Sequence, residues 1–242
     1  MPEQQLRMYT DFAAWWPLLS PPAHYVEEAA DLFPMLLSAT EPPPSTLLEL
    51  GSGGGSLAFH LKGRLQLTLT DRSPQMLAVN RAVNPECEHI LGDMYSLRLN
   101  REFDIVLIHD AIMYAEDATS LRAALETASQ HCRPGGAVVL VPDFVKETFK
   151  AETTTGGEDG TDGRGLRFLE WVWDPDPTDD TCDVAYCFMF READGTVHCE
   201  SEQHRHGLFA RESWLEWMHE AGFSARSRID PWGRDVLIGT KR

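Results

Sequence analysis

The chain has 242 residues, 43% of them hydrophobic, and a formal net charge of −17. That length suits one sizeable α/β domain, or a domain carrying an insertion. The charge argues against a nucleic-acid surface, which needs clustered Lys and Arg, and against an anionic membrane, while a small or cationic partner is compatible with it.

The N-terminal stretch "MPEQQLRMYTDFAAWWPLL" has no basic region followed by a long apolar run, so neither a signal peptide nor a transmembrane span is expected. Tyr9, Phe12, Trp15 and Trp16 lie close together there and suggest a short helix or lid. "PPAHYVEEAADLFPMLLSAT" reads as a helix with an apolar stripe through Val26, Ala29, Leu32, Phe33 and Leu36, bent or opened by Pro34. "EPPPS" follows as a stiff linker.

A strand–helix alternation then begins. "TLLEL" is an apolar run, hence a buried strand, and "GSGGGSLAFHLKG" a glycine turn into a helix. "LQLTLTD" is a strand, and "SPQMLAVNRAV" a helix with Ser73 as N-cap and Pro74 at its first position. "HILGD" and "FDIVLIHD" are strands, "TSLRAALETASQHC" an amphipathic helix, and "GGAVVLVPDF" a further strand. Such alternation implies a parallel sheet with both faces covered. The pattern changes at residues 151–165, "AETTTGGEDGTDGRG", which read as a mobile loop. Three strand-like segments follow, "LRFLEWVWD", "CDVAYCFMFRE" and "TVHCESEQHRHGLF", an antiparallel insertion. In it Trp171 and Trp173 share one face and are expected to pack beneath the insertion. "RESWLEWMHEAGF" returns to helix with Gly222 as its stop signal, and "SARSRID" and "RDVLIGTKR" are the last strands. The division expected is 1–45 as a lid, 46–150 as the core, 151–206 as the loop and insertion, and 207–242 as the return to the core.

Five scattered cysteines, Cys87, Cys132, Cys182, Cys187 and Cys199, form no C-x-x-C pair, so a structural zinc site is not expected and a cytoplasmic setting is. The glycine turn admits two ligands. Gly53, Gly55 and Ala58 match the G-x-G-x-x-A dinucleotide fingerprint, which seats a pyrophosphate at a helix N-terminus. Glu49, two residues before Gly51, would repel a pyrophosphate but suit a cationic ligand head, such as the ammonium and sulfonium of S-adenosylmethionine (SAM). Asp71 ends the next strand, where an acid accepts from ribose hydroxyls under either reading. In "GDM", Gly92 to Met94, Asp93 suits an adenine amino group and Met94 the ring face.

The ordered set "LLELGSGGG", "TLTDRSPQML", "GDM", "FDIVLIHDAIMY" and "CRPGGAVVLVPDF", covering residues 46–144, resembles the class I SAM-dependent methyltransferases. The aromatic N-terminus, the insertion and the C-terminal stretch look like its small-molecule branch, which includes deoxy-sugar and glycine-type N-methyltransferases. The resemblance implies a Rossmann-like α/β fold, with a seven-stranded, mostly parallel sheet whose last strand is antiparallel, helices on both faces, and the antiparallel β insertion. It implies that Glu49, Gly51 and Gly53 contact the amino-acid end of SAM, and that Asp71 and Arg72 lie at the ribose. Ser73 and Met76 fall near the adenosine, and Gly92, Asp93 and Met94 at the adenine. His109 and Asp110 begin the loop under the methionine and the acceptor. Tyr114 stands where many relatives have a histidine. Tyr9, Trp15 or Trp16 would cover the cofactor.

Methyl transfer is an in-line displacement that depends on alignment and on exclusion of water, and a base helps only where the acceptor starts protonated. Tyr114 and His109 are the catalytic candidates. Asp110, Tyr114, Asp143, Arg167, His204 and His206 are the acceptor-side candidates, with Arg164 and Arg167 suited to an anionic group on the acceptor or to plain surface roles. "HCESEQHRH" invites a metal reading through His198, Cys199, Glu202, His204 and His206, but matches no zinc spacing, so no metal is expected. His204 and His206, two residues apart on a strand, share one face and suit a cavity wall. The expected activity is methylation of N or O on a small molecule with release of S-adenosylhomocysteine (SAH), by a cytoplasmic monomer or homodimer with no nucleic-acid or membrane partner. A nicotinamide-dependent oxidoreductase and a non-catalytic SAM-binding protein are the alternatives.

Overall fold

The computed structural model describes residues 6–242. The first five residues of the expected lid, and of the stretch read for a signal peptide, lie outside the described residues. The lid segment forms short 3-10 turns at Arg7–Tyr9 and Ala13–Trp15, then the one-turn helix α1, Trp16–Leu19. A further 3-10 turn at Pro22–Tyr25 leads into α2, Val26–Leu37. The α-helix therefore starts at the first residue of its apolar stripe, and the head of the expected stretch, Pro22–Tyr25, is a 3-10 turn instead. Ala29, Leu32 and Leu36 are buried, but Val26, at the first turn, is 54% exposed. Pro34 sits inside α2, which continues past it to Leu37.

The core then runs through β1 (Thr46–Leu50), α3 (Ala58–Leu61), β2 (Gln66–Asp71), α4 (Pro74–Val83), β3 (Glu88–Leu91), β4 (Phe103–Ile108), α5 (Ala118–His131) and β5 (Cys132–Leu140). The insertion holds β6 (Glu152–Gly156), β7 (Gly165–Trp173), β8 (Thr181–Arg191) and β9 (Val197–Gly207). The chain closes with α6 (Arg211–Glu220), β10 (Phe223–Ile229) and β11 (Asp235–Lys241).

The main sheet has seven strands in the order β10-β11-β5-β4-β1-β2-β3, and β11 is antiparallel to both of its neighbours. The apolar runs Ile105–Ile108 of β4 and Ala137–Leu140 of β5 are continuous, and that of β1 is broken only by Glu49, because both faces of these strands are covered. Leu48, Leu50, Val106, Ile108, Val138 and Leu140 pack with Leu121 and Leu125 of α5 and Trp214 and Met218 of α6. The alternate residues, Leu47, Ile105, Leu107 and Val139, pack with Leu32 and Leu36 of α2 and Leu61 of α3. The helix expected after the glycine turn is a single turn. Ser73 caps α4, its hydroxyl accepting from Met76 N–H at 3.1 Å, with Pro74 at the first position.

The insertion is a separate four-stranded antiparallel sheet, β6-β7-β8-β9. Part of the expected mobile loop is therefore a strand. β6 carries three consecutive threonines that favour extended backbone, and pairs with β7 from Glu152↔Val172 to Gly156↔Phe168. As an exposed edge strand with few apolar residues it has no inward stripe for a pattern search to find. The inner face of this sheet, through Leu166, Phe188 and Phe190, packs on Met8, Trp15 and Leu18 of the N-terminal segment. Trp171 and Trp173 contact each other, with ring centroids 4.8 Å apart, but on the outer face, where Trp171 is 52% exposed. They do not pack beneath the insertion, because Leu166, Phe168, Glu170 and Val172 take the inward positions of β7.

Candidate active site

The C-terminal ends of β1, β2, β4 and β5 meet beneath the N-terminal segment, and β1 and β4 leave the sheet at its topological switch point, where open α/β sheets bind ligands. Glu49, near the end of β1, is buried among apolar strands. Its Oε2 is fully enclosed without a hydrogen-bond partner, and burial pushes its carboxyl up to about 7. An orphaned buried carboxylate oxygen is costly unless a donor meets it.

Gly51 and Gly53 have φ of +72° and +52°, a region that side chains disfavour, and a Cβ on Gly51 would lie 2.4 Å from Ala111 Cβ. The loop is held from below by α4. Asn80 Nδ2 donates to Ser52 Oγ at 3.0 Å and Gly53 O at 3.1 Å, and Asn84 Nδ2 donates to Gly55 O at 2.9 Å. From above, Trp16 lies on the loop so closely that a Cβ on Gly54 would stand 2.2 Å from its Cδ1. Met76 and Trp16 both flank Gly53. Trp15 instead packs on Phe190 at 4.8 Å between ring centroids and belongs to the insertion's contact with the lid. Asp71 accepts from Gly53 N–H at 2.9 Å and Ser73 N–H at 2.8 Å, and burial raises its pKa. Beyond β3, Asp93 Oδ1 accepts from Tyr95 N–H at 2.8 Å, and Met94 packs against the core next to the half-buried Gly92. Arg72 is exposed beside Asp71.

After β4, His109 Nε2 bonds Glu28 Oε1 at 2.7 Å, and its Nδ1 stands 3.0 Å from Asp110 Oδ1. Burial alone would lower the His109 pKa, but the two carboxylates hold it well above the ordinary value. Its neighbour Glu28 also bonds Arg234, and despite burial it titrates at about 2 because both cations favour its charged form. His109 is thus a buried cation with both nitrogens engaged, an arrangement that leaves no lone pair for the base role expected of it.

Tyr114 lies on the short 3-10 turn Asp110–Tyr114. Its hydroxyl is 2.7 Å from Tyr9 Oη and 2.8 Å from His204 Nδ1. His206 meets the Tyr114 ring edge-on at 4.8 Å, and both of its ring nitrogens are buried without partners. Burial lowers its pKa to about 3, so it is neutral. Tyr186 donates to Glu170 Oε1 at 2.6 Å and packs against His204 at 4.9 Å. Asp143, just beyond β5, is held well above the usual carboxylate range, first by burial and then by the charge of Asp110.

The structure thus gathers Tyr9, Trp16, Glu49, Gly51, Gly53, Asp71, Met76, His109, Asp110, Tyr114, Asp143, His204 and His206 at one edge. Arg167 is not among them. It points to the outer face of β7 and pairs with Asp159 at 2.9 Å. Arg164 likewise pairs with Asp162 and lies over Trp15. The five residues of the metal reading diverge. Cys199 takes the outward face of β9, His198 packs on Phe190, and His204 is committed to Tyr114 and Glu202. Sequence reasoning missed Asn80, Asn84, Glu28, Glu170, Tyr186 and Arg234. Asn80, an asparagine inside α4, was a usable signal, since asparagine is unfavourable there without a polar task, whereas Asn84 is the C-cap of that helix.

Residues 47–136 match the family model described as a methyltransferase domain. A dTDP-3-amino-3,4,6-trideoxy-alpha-D-glucopyranose N,N-dimethyltransferase of Streptomyces venezuelae is 32% identical over 52% of this chain, which spans about half of that relative's length, 53%. A dTDP-3-amino-3,6-dideoxy-alpha-D-glucopyranose N,N-dimethyltransferase of Streptomyces fradiae is 28% identical over 89% of this chain and 84% of its own. Among solved structures, DesVI of Streptomyces venezuelae superposes with a TM-score of 0.84 at 24% identity over 96% of this chain and 99% of its own. SAM-bound CalS10, an amino pentose methyltransferase from Micromonospora echinaspora, gives 0.76 at 24% identity over 90% and 92%. The match over the segment that holds the glycine turn makes residues 47–136 a methyltransferase domain and removes the nicotinamide reading, and beyond that segment the chain is similar to the two sugar N,N-dimethyltransferases.

Proposed function

We propose that this chain transfers a methyl group from SAM to the amine of an amino sugar and releases SAH. The observation that carries the choice of nitrogen is the chemistry of the acceptor wall. Asp110, Asp143 and Glu170 lie with the phenols of Tyr9, Tyr114 and Tyr186, close enough that their charges influence one another. The cations that offset Asp143, His109 and Arg234, are already bonded to Glu28. Asp143, kept protonated by burial and by the charge of Asp110, regains its own charge when a cation arrives, so such a wall suits a cationic amine better than a neutral hydroxyl.

In this reading Glu49 takes the ammonium of SAM, and Gly51 and Gly53 leave room for its carboxylate. Asp71 takes the ribose, with Arg72 beside it and Met76 under the adenosine. Gly92, Asp93 and Met94 border the adenine. When bound, the cofactor supplies a methyl group on an electrophilic sulfonium. Tyr9 and Trp16, with ring centroids 5.7 Å apart, would close the site to water and present aromatic faces to a cation. His109 keeps Glu28, Asp110 and the β4 end in place, while Asp110, Asp143, Tyr114, His204 and His206 face the acceptor. We take residues 1–45 as the cover, 46–150 as the cofactor core, 151–206 as the acceptor wall and 207–242 as the return to the core. We also take the enzyme to be cytoplasmic, a monomer or homodimer. Its five free cysteines agree with a reducing setting, and among the described residues no helix is long and apolar enough to cross a membrane.

The test is methyl-labelled SAM with dTDP-3-amino-3,6-dideoxyglucose, the same amino sugar free of its nucleotide, and the 3-hydroxy counterpart, read by mass spectrometry. Label on the amine of either amino sugar is expected. Label only on the hydroxyl compound refutes the choice of nitrogen. SAH binding without transfer to any of them favours a non-catalytic SAM-binding protein.

A further inference from the structure

A series of hydrogen bonds runs from β9 into the acceptor wall. Glu202 Oε1 bonds His204 Nε2, His204 Nδ1 is 2.8 Å from Tyr114 Oη, and Tyr114 Oη is 2.7 Å from Tyr9 Oη. The His204 side chain is 0% exposed and that of Glu202 is 6%. Ionisable groups so enclosed are costly unless each is satisfied, so a carboxylate, an imidazole and a phenol in sequence make up a built unit.

The far end fixes the direction of the series. Glu202 Oε2 accepts from Arg7 N–H at 2.7 Å and from Met8 N–H at 3.3 Å, so the carboxylate receives hydrogen bonds at both oxygens. His204 then donates from Nε2 and accepts at Nδ1. Tyr114 must donate its O–H to that nitrogen, and its oxygen accepts from Tyr9. A phenol oxygen has two lone pairs, so one remains for a donor on the acceptor molecule.

We propose that Tyr114, His204 and Glu202 form a relay that removes the proton from the acceptor's ammonium before methyl transfer. The proposal rests on the amine reading above. The N–H bond of the ammonium breaks, and its electron pair stays on nitrogen as the nucleophilic lone pair. That proton goes to Tyr114 Oη while the phenol's own proton passes to His204 Nδ1. The imidazolium so formed keeps its Nε2–H on Glu202, whose negative charge balances it. Tyr114 is the catalytic residue, and His204 and Glu202 are positioning residues that act through it. The relay answers a difficulty that Tyr114 would have alone. Burial and the neighbouring phenols of Tyr9 and Tyr186 push its pKa well up, so it cannot give up a proton unless another group takes it at once. His109 is unavailable, being already a cation.

The experiment follows kcat and KM against pH for the wild type, Tyr114→Phe, His204→Gln and Glu202→Gln, with dTDP-3-amino-3,6-dideoxyglucose as acceptor. The other titratable groups facing the relay are Tyr9, Tyr186, Glu170, Asp143, Asp110 and His206, and all stay in place. The expected result is a loss in kcat of roughly 100-fold near pH 6.5 in Tyr114→Phe and His204→Gln, the usual scale for one proton-transfer group. It shrinks about tenfold per pH unit as the amine deprotonates in solution, with KM little changed and SAH affinity retained. Glu202→Gln falls between these variants and the wild type, and Glu202→Asp restores part of the rate. A loss equal at every pH, or none, overturns the relay while wild-type N-methylation leaves the amine reading standing. A wild type that methylates no amine overturns both. Should the variants not fold, nitrogen NMR of the wild-type His204 ring decides: a proton on Nε2 in the neutral form is expected, and one on Nδ1 overturns the relay.

Discussion

Replacing Glu49 with glutamine should move stability and cofactor affinity in opposite directions. The Glu49 carboxyl titrates at about 7 in the folded chain, against 4.5 for an unperturbed glutamate. A raised acid pKa means that the unfolded chain ionises first as pH rises, so stability falls between pH 4.5 and 7. Each unit is worth about 1.4 kcal/mol, so the penalty grows by about 2 kcal/mol between pH 5.5 and 8. A neutral glutamine at this position carries no such penalty. The variant's stability relative to the wild type should therefore rise by about 2 kcal/mol over that interval, or roughly 4–8 °C in melting temperature for a chain of this size. Binding runs the other way. A hydrogen bond to a charged group is worth about 1.5–3 kcal/mol, so calorimetry at pH 8 should find SAH bound roughly 10- to 150-fold more weakly by Glu49→Gln. The wild type should lose about 30-fold in affinity between pH 8 and 5.5 as Glu49 gains its proton, and the variant should not. A variant that is less stable at both pH values, yet binds SAH as the wild type does, would show that Glu49 is a structural acid and that the assignment to the ammonium is mistaken.

Asp71→Ala should weaken SAH binding and cost about 1–3 kcal/mol of stability, because Gly53 and Ser73 N–H both lose their buried acceptor; unchanged unfolding and unchanged affinity would refute the role. Gly54→Ala should fold, since Gly54 does not have positive φ, but must displace Trp16 from the loop. Tryptophan fluorescence and SAH titration in a double-mutant cycle with Trp16→Ala should then be non-additive, and additive effects would mean that the two do not touch in solution. Away from the site, Arg211 bonds the buried Asp235 at 2.5 and 2.9 Å, and Arg211→Ala leaves that carboxylate with the Ser227 hydroxyl but without its cation. A loss of about 1–3 kcal/mol in denaturant unfolding is expected, the scale of a lost charge-assisted hydrogen bond at a buried acceptor, with SAH affinity retained at low temperature. A loss below about 1 kcal/mol would place the pair with ordinary surface bridges.

The central strands of the main sheet were legible because burial on both faces leaves a nearly unbroken apolar run, and the start of α4 because Ser73 and Pro74 are a capping chemistry that needs no tertiary partner. β6 was not. Its threonines and glycine carry no inward apolar stripe, and only pairing with β7 makes the segment a strand. Alternation put Trp171 and Trp173 on one face of β7, but which face meets the protein is settled by what lies across from it. In the site, Glu49, Asp71 and the glycines were readable because they lie within one strand–turn–helix–strand unit. Glu28 was not, since its partners His109 and Arg234 lie 81 and 206 residues away and no local pattern links them. His109 looked like a base in the sequence for the same reason. Its identity and its neighbour Asp110 were visible, but not Glu28, the second carboxylate that keeps it charged.

The position of Tyr114 shows how the insertion enters the chemistry. The resemblance called for an imidazole there, and the chain has a phenol that burial keeps from ionising. The missing nitrogen comes from His204 on β9, two residues from the carboxylate of Glu202 on the same inward face. That placement needs β9 to pass directly over the turn after β4, which it does at Gly207, where a Cβ would stand 2.1 Å from Ala115 O. Glycine is the residue that permits this approach. Once the strand is so close, Glu202 also meets the backbone of Arg7 and Met8, and Tyr9 reaches Tyr114. The same three residues therefore join the lid, the insertion and the core, so an acceptor that displaced Tyr9 from Tyr114 would loosen the cover and the proton path together.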